Sequence, residues 1–205
     1  VSRHEWPKRT ELVAQAAAGS EGTWELVGGG SRLAWVRHLF ERWTDDPGAA
    51  AQDPPEATWR NRGTWLLAPD ERPATDGSSE HLGGRLRLHG EVDDTTRDDA
   101  YRRAGVVIAP ALREDYGLTV LEAFAHGRPV IVCDDGGGLV ELAAGTGAAL
   151  VVEPHPAAVA AAVAELRDDP GRAHEMASAA LERAHALAAE DDLAPLLDAV
   201  RAAID

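Results

Sequence analysis

The feature that most restricts the fold of this chain is the alternation of short apolar runs with segments of helical periodicity. Residues 105–110 and 129–133 are continuously apolar, as in strands that are covered on both faces. Residues 148–152 have the same character, and the runs at 23–27 and 85–90 each stop at glycine. We therefore expect an α/β fold with a doubly wound, mostly parallel sheet and helices on both faces.

Helical patterns occupy the intervals between these predicted strands. Helices are expected over residues 8–18, 95–104, 118–126 and 139–144. The acidic pair Asp93 and Asp94 is predicted to cap the second of them, and Gly127 with Pro129 to end the third. The alanine-rich residues 156–205 are predicted to form a helical C-terminal segment that is broken near an Asp-Pro-Gly sequence.

Residues 45–84 interrupt the alternation because aspartate, proline and alanine dominate much of their length. We interpret them as a variable excursion around one extra strand at 65–68, with residues 70–84 as loop, inside a single domain that comprises all 205 residues. Just before them, Trp35, Leu39 and Trp43 stand at helical spacing and are predicted to be core residues rather than a platform for a stacked ligand.

Composition and charge exclude several classes of partner. The formal net charge of −15 argues against nucleic acid, because few cations would neutralise its phosphates. The single cysteine, Cys133, lies in an apolar run and is predicted to be a buried, inert thiol, so we expect a reducing, cytoplasmic setting. The histidines show no metal-ligand spacing, and no metal is expected. Membrane association of the whole protein is left open.

The segment 114–123 has the most informative pattern, because it runs from a predicted strand end into a predicted helix. In open parallel sheets, ligands bind at such strand-to-helix loops. Gly117 permits a tight turn and a close approach of the backbone to a ligand. The first helical amides, at Gly117, Leu118 and Thr119, lack intrahelical partners and would form a site for an anion such as a diphosphate.

Two glutamates flank this turn. The carboxylate of Glu122, one turn into the helix, could accept hydrogen bonds from a vicinal diol such as that of ribose. Glu114, before the turn, would face whatever group lies beyond the phosphates. Taken alone, each acid is better explained as a solvated side chain, in the helix or in the loop, so their assignment depends on the surrounding motifs.

The glycines that follow residues 23–27 suggest a dinucleotide-binding fingerprint, but the comparison fails. Leu33 stands where the third glycine is required, and no acid follows a clear strand about 20 residues later. The loop that begins at Gly28 either borders the phosphates of a ligand or simply turns the chain, and Gly28 is kept as a candidate for the former.

The motifs around the two glutamates resemble those of retaining glycosyltransferases with the GT-B fold, most of all glycosyltransferase family 4. The spacing of Glu114 and Glu122 is similar to the Glu-x7-Glu motif of that family. Four further segments resemble its motifs in the same order along the chain: 1–8, 90–92, 127–131 and 134–141. The likeness covers most of the chain and is strongest over residues 85–152.

The resemblance implies a set of site residues. Arg3 and Lys8 would hold the donor diphosphate, Glu122 the ribose and Glu114 the hydroxyls of the donor sugar, while Glu91 with Val92 would border the base. It also implies a nucleoside diphosphate sugar as donor, no cofactor or metal, and an N-terminal domain, absent from these residues, that would hold the acceptor. We expect the 205 residues alone to bind nucleotide weakly and to transfer no sugar.

The predicted function is therefore donor binding in a retaining, hexosyltransferase-like enzyme that moves a sugar to an acceptor the sequence does not identify. Two alternatives remain at this stage. One is a sugar-nucleotide epimerase or a phosphorylase with the same two-domain plan, and the other is a non-catalytic nucleotide-binding module. The sequence names neither the base nor the sugar, because backbone groups would make those contacts.

Overall fold

A computed structural model describes residues 4, 6–30, 32–46 and 79–189 of the chain. Arg3, the predicted strand at 65–68 and the last 16 residues lie outside the described part, as does most of the excursion at 45–84. The described strands are β1 Trp24–Leu26, β2 Glu80–Leu82, β3 Leu86–Leu88, β4 Val107–Ala109, β5 Val130–Cys133 and β6 Ala149–Val152. The described helices are α1 Thr10–Ala18, α2 Leu33–Asp45, α3 Asp94–Arg103, α4 Leu118–Ala125, α5 Gly138–Ala143, α6 Pro156–Asp168 and α7 Pro170–Ala189, preceded by a 3-10 turn at Trp6–Lys8.

The described strands form two three-stranded sheets, with the orders β1-β3-β2 and β4-β5-β6. Strand β1 pairs with β3 in parallel, and β4, β5 and β6 are mutually parallel in the second sheet. Each parallel connection passes through a helix, as the alternating pattern requires. The predicted α/β architecture with mostly parallel pairing is confirmed.

Helices cover both faces of the second sheet. Val107 and Ala109 of β4 belong to the hydrophobic cluster that includes residues of α4 and α5, whereas Ile108 between them packs against the cluster that contains α1 and α2. All four residues of β5 are buried. This two-sided burial explains why the strands read as continuous apolar runs rather than as an alternation of apolar and polar residues.

The short antiparallel strand β2 was not predicted, because residues 70–84 read as a loop. Glu80–Leu82 pairs with β3 through a turn at Gly83 and Gly84, which have positive φ angles of 54° and 67°. The strand has only three residues, and two of them are exposed, so it carries no apolar signal. The interpretation of this part of the excursion as loop was therefore wrong.

Other local predictions are confirmed. Asp93 caps α3 by accepting a hydrogen bond from the Thr96 amide at 2.8 Å. Leu39 and Trp43 are core residues of α2, while Trp35 is partly buried against the same cluster. Cys133 is 1% exposed, and its burial raises the pKa of the thiol to about 12, so the thiol stays protonated at neutral pH.

The segment around His4 joins the carboxyl ends of β1 and β4. The His4 amide donates to the Gly29 carbonyl at 2.8 Å, and the Arg32 amide donates to the His4 carbonyl at 3.0 Å. On the other side, the Leu112 amide donates to the Pro7 carbonyl at 2.8 Å. The chain thus crosses from one sheet to the other at the edge where a parallel sheet binds ligands, and it brings the residues after Pro7 to the loop that follows β4.

His4 provides a test of this crossing. Its side chain is 1% exposed, and burial lowers its pKa from 6.5 to about 4. Between pH 6.5 and about 4, His4 is protonated in the unfolded chain but stays neutral in the folded chain. The free energy of unfolding is therefore unaffected by His4 above pH 6.5 and decreases as the pH falls towards 4. We expect urea unfolding to show a loss of about 3 kcal/mol over this interval that His4→Gln removes. An unchanged pH profile in the variant would contradict the burial of a neutral imidazole.

Candidate functional site

The turn from β4 into α4 has the geometry of an anion site. Gly117 precedes α4 with a φ of 92°, a left-handed conformation that favours glycine. A Cβ atom at this position would lie 3.0 Å from Leu139 Cδ2, so packing also favours glycine. Helical hydrogen bonding begins with the Val120 amide, which donates to the Gly117 carbonyl at 2.9 Å. The amides of Gly117 and Leu118 therefore precede the helical ladder, at the positive end of the helix dipole.

A cavity of about 1050 Å³ opens beside this turn. From there it extends between β1 and β4, where residues 24–27 and 106–111 line it. This volume is slightly larger than the range usual for sites that hold small molecules or cofactors, about 300–1,000 Å³. Six of the residues predicted from the sequence line it: Lys8, Glu114, Gly117, Leu118, Thr119 and Glu122.

Lys8 and Glu114 contact each other directly at the cavity. The Lys8 ammonium donates a hydrogen bond to the Glu114 carboxylate, and the two side chains are 28% and 26% exposed. The cation and the carboxylate had been assigned to separate parts of a donor molecule, yet here they form an ion pair. An anion that enters the cavity must therefore share the Lys8 ammonium with Glu114 or displace that carboxylate.

The backbone of Glu114 is held by the glycine-rich segment that follows β5. The Glu114 amide donates to the Gly136 carbonyl at 2.9 Å, and the Gly138 amide donates to the Glu114 carbonyl at 2.7 Å, which makes a parallel bridge between Glu114 and Gly137. The sequence pattern places these two segments in separate motifs, with the motif at 127–131 between them. The structure shows that they are in direct contact, so the glycine-rich segment holds the backbone from which the Glu114 side chain projects.

The carboxylate of Glu122 is oriented by Tyr101 of α3. The Tyr101 hydroxyl donates to Glu122 Oε2 at 2.6 Å, and its ring stacks on His126 with centroids 5.0 Å apart. Burial and the neighbouring carboxylate both raise the pKa of Tyr101, so its hydroxyl remains a donor at neutral pH. Sequence reasoning missed Tyr101, although it is the one large apolar residue in an otherwise polar helix and so a visible signal for burial.

The Tyr101 contact predicts a measurable loss of stability. Removing the hydroxyl in Tyr101→Phe leaves Glu122 without a buried donor, and we expect the free energy of unfolding in urea to fall by about 1–2 kcal/mol. Tyr116→Phe is the matched control, because Tyr116 is 58% exposed. Equal stabilities for the two variants would contradict the role of the Tyr101 hydroxyl.

Gly28, Glu91 and Val92 lie together beside the cavity but do not line it. Gly28 has a φ of 128°, and its amide donates to the Gly90 carbonyl at 2.8 Å, next to Glu91. A Cβ atom on Gly29 would lie 3.0 Å from Glu91 Cγ, which shows how closely the two loops approach. Glu91 is exposed and Val92 is half-buried, so both are accessible at this edge. The predicted position of Arg3 falls outside the described residues.

No group of three histidine, cysteine, aspartate or glutamate side chains in the described part of the chain is arranged to hold a metal ion. None of the described helices combines the length and apolar character that are needed to cross a membrane.

Comparison with known sequences identifies a family and a relative. A family model described as glycosyl transferases group 1 matches residues 77–183. The D-inositol 3-phosphate glycosyltransferase 1 of Catenulispora acidiphila is 32% identical over 124 residues, which cover 60% of this chain and 30% of that protein. The chain thus spans less than a third of the length of this relative.

Solved structures share the fold. The sucrose-phosphate synthase of Thermosynechococcus elongatus superposes with a TM-score of 0.66 and 23% identity, covering all of this chain and 44% of that one. The Anabaena protein HepE, in a complex with UDP and glucose, superposes with a TM-score of 0.63 and 18% identity, covering 90% of this chain and 42% of that one. At these identities the likeness concerns the fold, which is that of one half of a GT-B glycosyltransferase.

Proposed function

Because the chain belongs to the group 1 glycosyl transferases, we propose that its cavity binds the nucleoside diphosphate sugar from which the whole protein transfers a sugar to an acceptor. The observation that carries this proposal is the convergence, on one cavity, of the first amides of α4, the Lys8 ammonium and the carboxylates of Glu114 and Glu122. The cavity thus combines a cation, a helix end that binds anions and two carboxylates that accept hydrogen bonds from hydroxyl groups.

In this proposal the diphosphate lies against the amides of Gly117, Leu118 and Thr119 and near Lys8. The helix end and the ammonium both favour negative charge, and Lys8 is the only lysine in a chain whose net charge is −15. Short-range pairing outweighs the general repulsion of a dianion, because exposed charges beyond about 8 Å are screened at physiological salt. The same groups would stabilise the charge that develops on the diphosphate as it leaves the sugar.

The two carboxylates contact the groups of the donor on either side of its diphosphate. Glu122 accepts hydrogen bonds from the ribose hydroxyls, and its bond from Tyr101 supports this role because it fixes the carboxylate before the ligand arrives. Glu114 accepts hydrogen bonds from the donor sugar, and Glu91 with Val92 borders the base at the adjoining edge. Arg3 completes the phosphate contacts, and Gly28 borders the phosphates.

We further propose transfer of a hexose with retention of configuration at the anomeric carbon. The motif resemblance supports retention, and the glucose in the HepE complex supports a hexose. Uridine is the first base to test, because that structure contains UDP.

Calorimetric titration of the chain with UDP, GDP and ADP tests the proposed donor site. We expect saturable binding of one nucleotide diphosphate, and Glu122→Gln should weaken it about 5- to 30-fold by removing a charged acceptor for the ribose hydroxyls. Glu175→Gln is the control, since Glu175 is exposed on α7 and lies outside the cavity lining.

Three outcomes of the titration would contradict parts of the proposed donor site. No binding of any of the three nucleotides would contradict it. Equal affinity of the wild type and Glu122→Gln would remove Glu122 from the site. If uridine monophosphate bound as tightly as UDP, the second phosphate would contribute nothing to affinity, contrary to a diphosphate site at the α4 amides.

A further inference from the structure

Arg9 occupies a position that is unusual for a charged residue. It is 2% exposed and has a φ of 50°, in the left-handed region that side chains rarely adopt. Its guanidinium spans both carboxylate oxygens of Asp135, with Nη1 to Oδ1 at 2.8 Å and Nη2 to Oδ2 at 2.5 Å. Nη1 also lies 3.4 Å from the Pro110 carbonyl, at the end of β4. A buried, strained arginine persists only where such contacts hold it.

Asp135 connects Arg9 to the backbone of the candidate site. Its own carbonyl accepts a hydrogen bond from the Arg113 amide at 3.0 Å, and the next carbonyl, of Gly136, accepts from the Glu114 amide at 2.9 Å. Arg9 therefore binds a side chain of the same short segment, Asp135 and Gly136, whose backbone pairs with Glu114. Its neighbour Lys8 holds the side chain of that glutamate from the other direction.

We propose that Arg9 is a positioning residue: through Asp135 it fixes the backbone of Glu114 and so sets where that carboxylate meets the donor sugar. The inference rests on the proposed function for its consequence at the sugar, but the positioning itself is a property of the chain alone. The fork of the guanidinium matches both carboxylate oxygens and so fixes an orientation as well as a distance, which a single ammonium could not do.

Arg32 supplies a matched control for this proposal. It is 1% exposed and pairs with the buried Glu11 of α1, so its removal also strands a buried carboxylate. Its ion pair with Glu11 lies apart from the hydrogen bonds that join Asp135, Gly136 and Glu114. Arg9→Met and Arg32→Met should both destabilise the fold, but only the first should disturb Glu114. Asp135→Asn is a gentler variant, because Asp135 is 33% exposed.

Amide hydrogen exchange on the free chain tests the positioning. In Arg9→Met and in Asp135→Asn we expect exchange at the amides of Glu114 and Gly138 to accelerate about 10-fold or more relative to Val130 of β5, whose amide bonds to the Ala148 carbonyl. Arg32→Met should show no such selective change. Unaltered relative exchange in folded Asp135→Asn would overturn the proposal, whatever ligands the chain binds.

Titration with UDP and with UDP-glucose tests the consequence at the sugar. We expect Arg9→Met and Asp135→Asn to raise the ratio of the UDP-glucose Kd to the UDP Kd about 10-fold while the UDP Kd changes less than about 3-fold. An equal loss of both affinities would indicate general damage and would overturn the positioning role. Absence of nucleotide binding in the wild type would contradict the proposed function instead, and the exchange experiment would still decide the role of Arg9.

Discussion

Replacing Lys8 by methionine is expected to weaken UDP binding about 10- to 100-fold, whereas Glu114→Gln is expected to leave it unchanged or to strengthen it. The opposite signs follow from the ion pair between these two side chains. Methionine removes the cation that faces the diphosphate and leaves a carboxylate beside it. Glutamine removes the competing anion, so the whole ammonium becomes available to the ligand.

The sequence offers a direct probe for this pair, because Lys8 is the only lysine of the chain. Reductive methylation with ¹³C-formaldehyde would label its amine and the chain's terminal amine, and it retains the positive charge of both. We expect UDP to shift the Lys8 dimethyl signal at saturation, while uridine does not. A Lys8→Met chain that binds UDP as tightly as Glu114→Gln would contradict the phosphate role of Lys8.

Gly138→Ala is expected to lower the free energy of unfolding by about 2–4 kcal/mol and to abolish the contribution of Glu114 to sugar binding. A Cβ atom at Gly138 would lie 2.5 Å from the Asp115 carbonyl oxygen, which is main chain and cannot rotate away. The two loops must separate, and the bond of 2.7 Å from the Gly138 amide to the Glu114 carbonyl is then lost. For a chain of this size the expected fall in Tm is about 4–15 °C.

Gly19→Ala is the control for this substitution. The nearest atom to its Cβ position lies 4.0 Å away, and Gly19 has a φ of −92°, which alanine adopts without strain. Thermal unfolding by circular dichroism should show this variant close to the wild type. Similar Tm values for Gly138→Ala and Gly19→Ala would mean that the contact between the two loops is looser than the structure has it.

The elements that the sequence predicted well are those whose signal is local. The apolar runs of β4 and β5 are recognisable in the sequence because both faces of these strands are covered. Asp93 marks the start of α3 because a cap needs only a side chain and an amide three residues later. The turn at Gly117 is predictable for the same reason. A left-handed glycine before a helix leaves its mark within a few residues.

What the sequence did not predict depends on contacts between distant residues. Tyr101 and Glu122 are 21 positions apart, and Arg9 and Asp135 are 126 apart, so no spacing pattern in a single sequence connects them. The pairing of Lys8 with Glu114 was not predicted for a further reason. Each residue had been assigned to a different group of the ligand, and only the three-dimensional structure shows that the two side chains neutralise each other.

In the proposed site, the first amides of α4 receive the diphosphate of a nucleotide. Titration of ¹⁵N-labelled chain with UDP, followed by amide NMR signals, observes those amides themselves. We expect the Gly117 and Leu118 signals to move together and to saturate as the UDP concentration rises, while uridine leaves them in place. Saturable binding of UDP that moves other amide signals and leaves those two unchanged would contradict a diphosphate site at the start of α4.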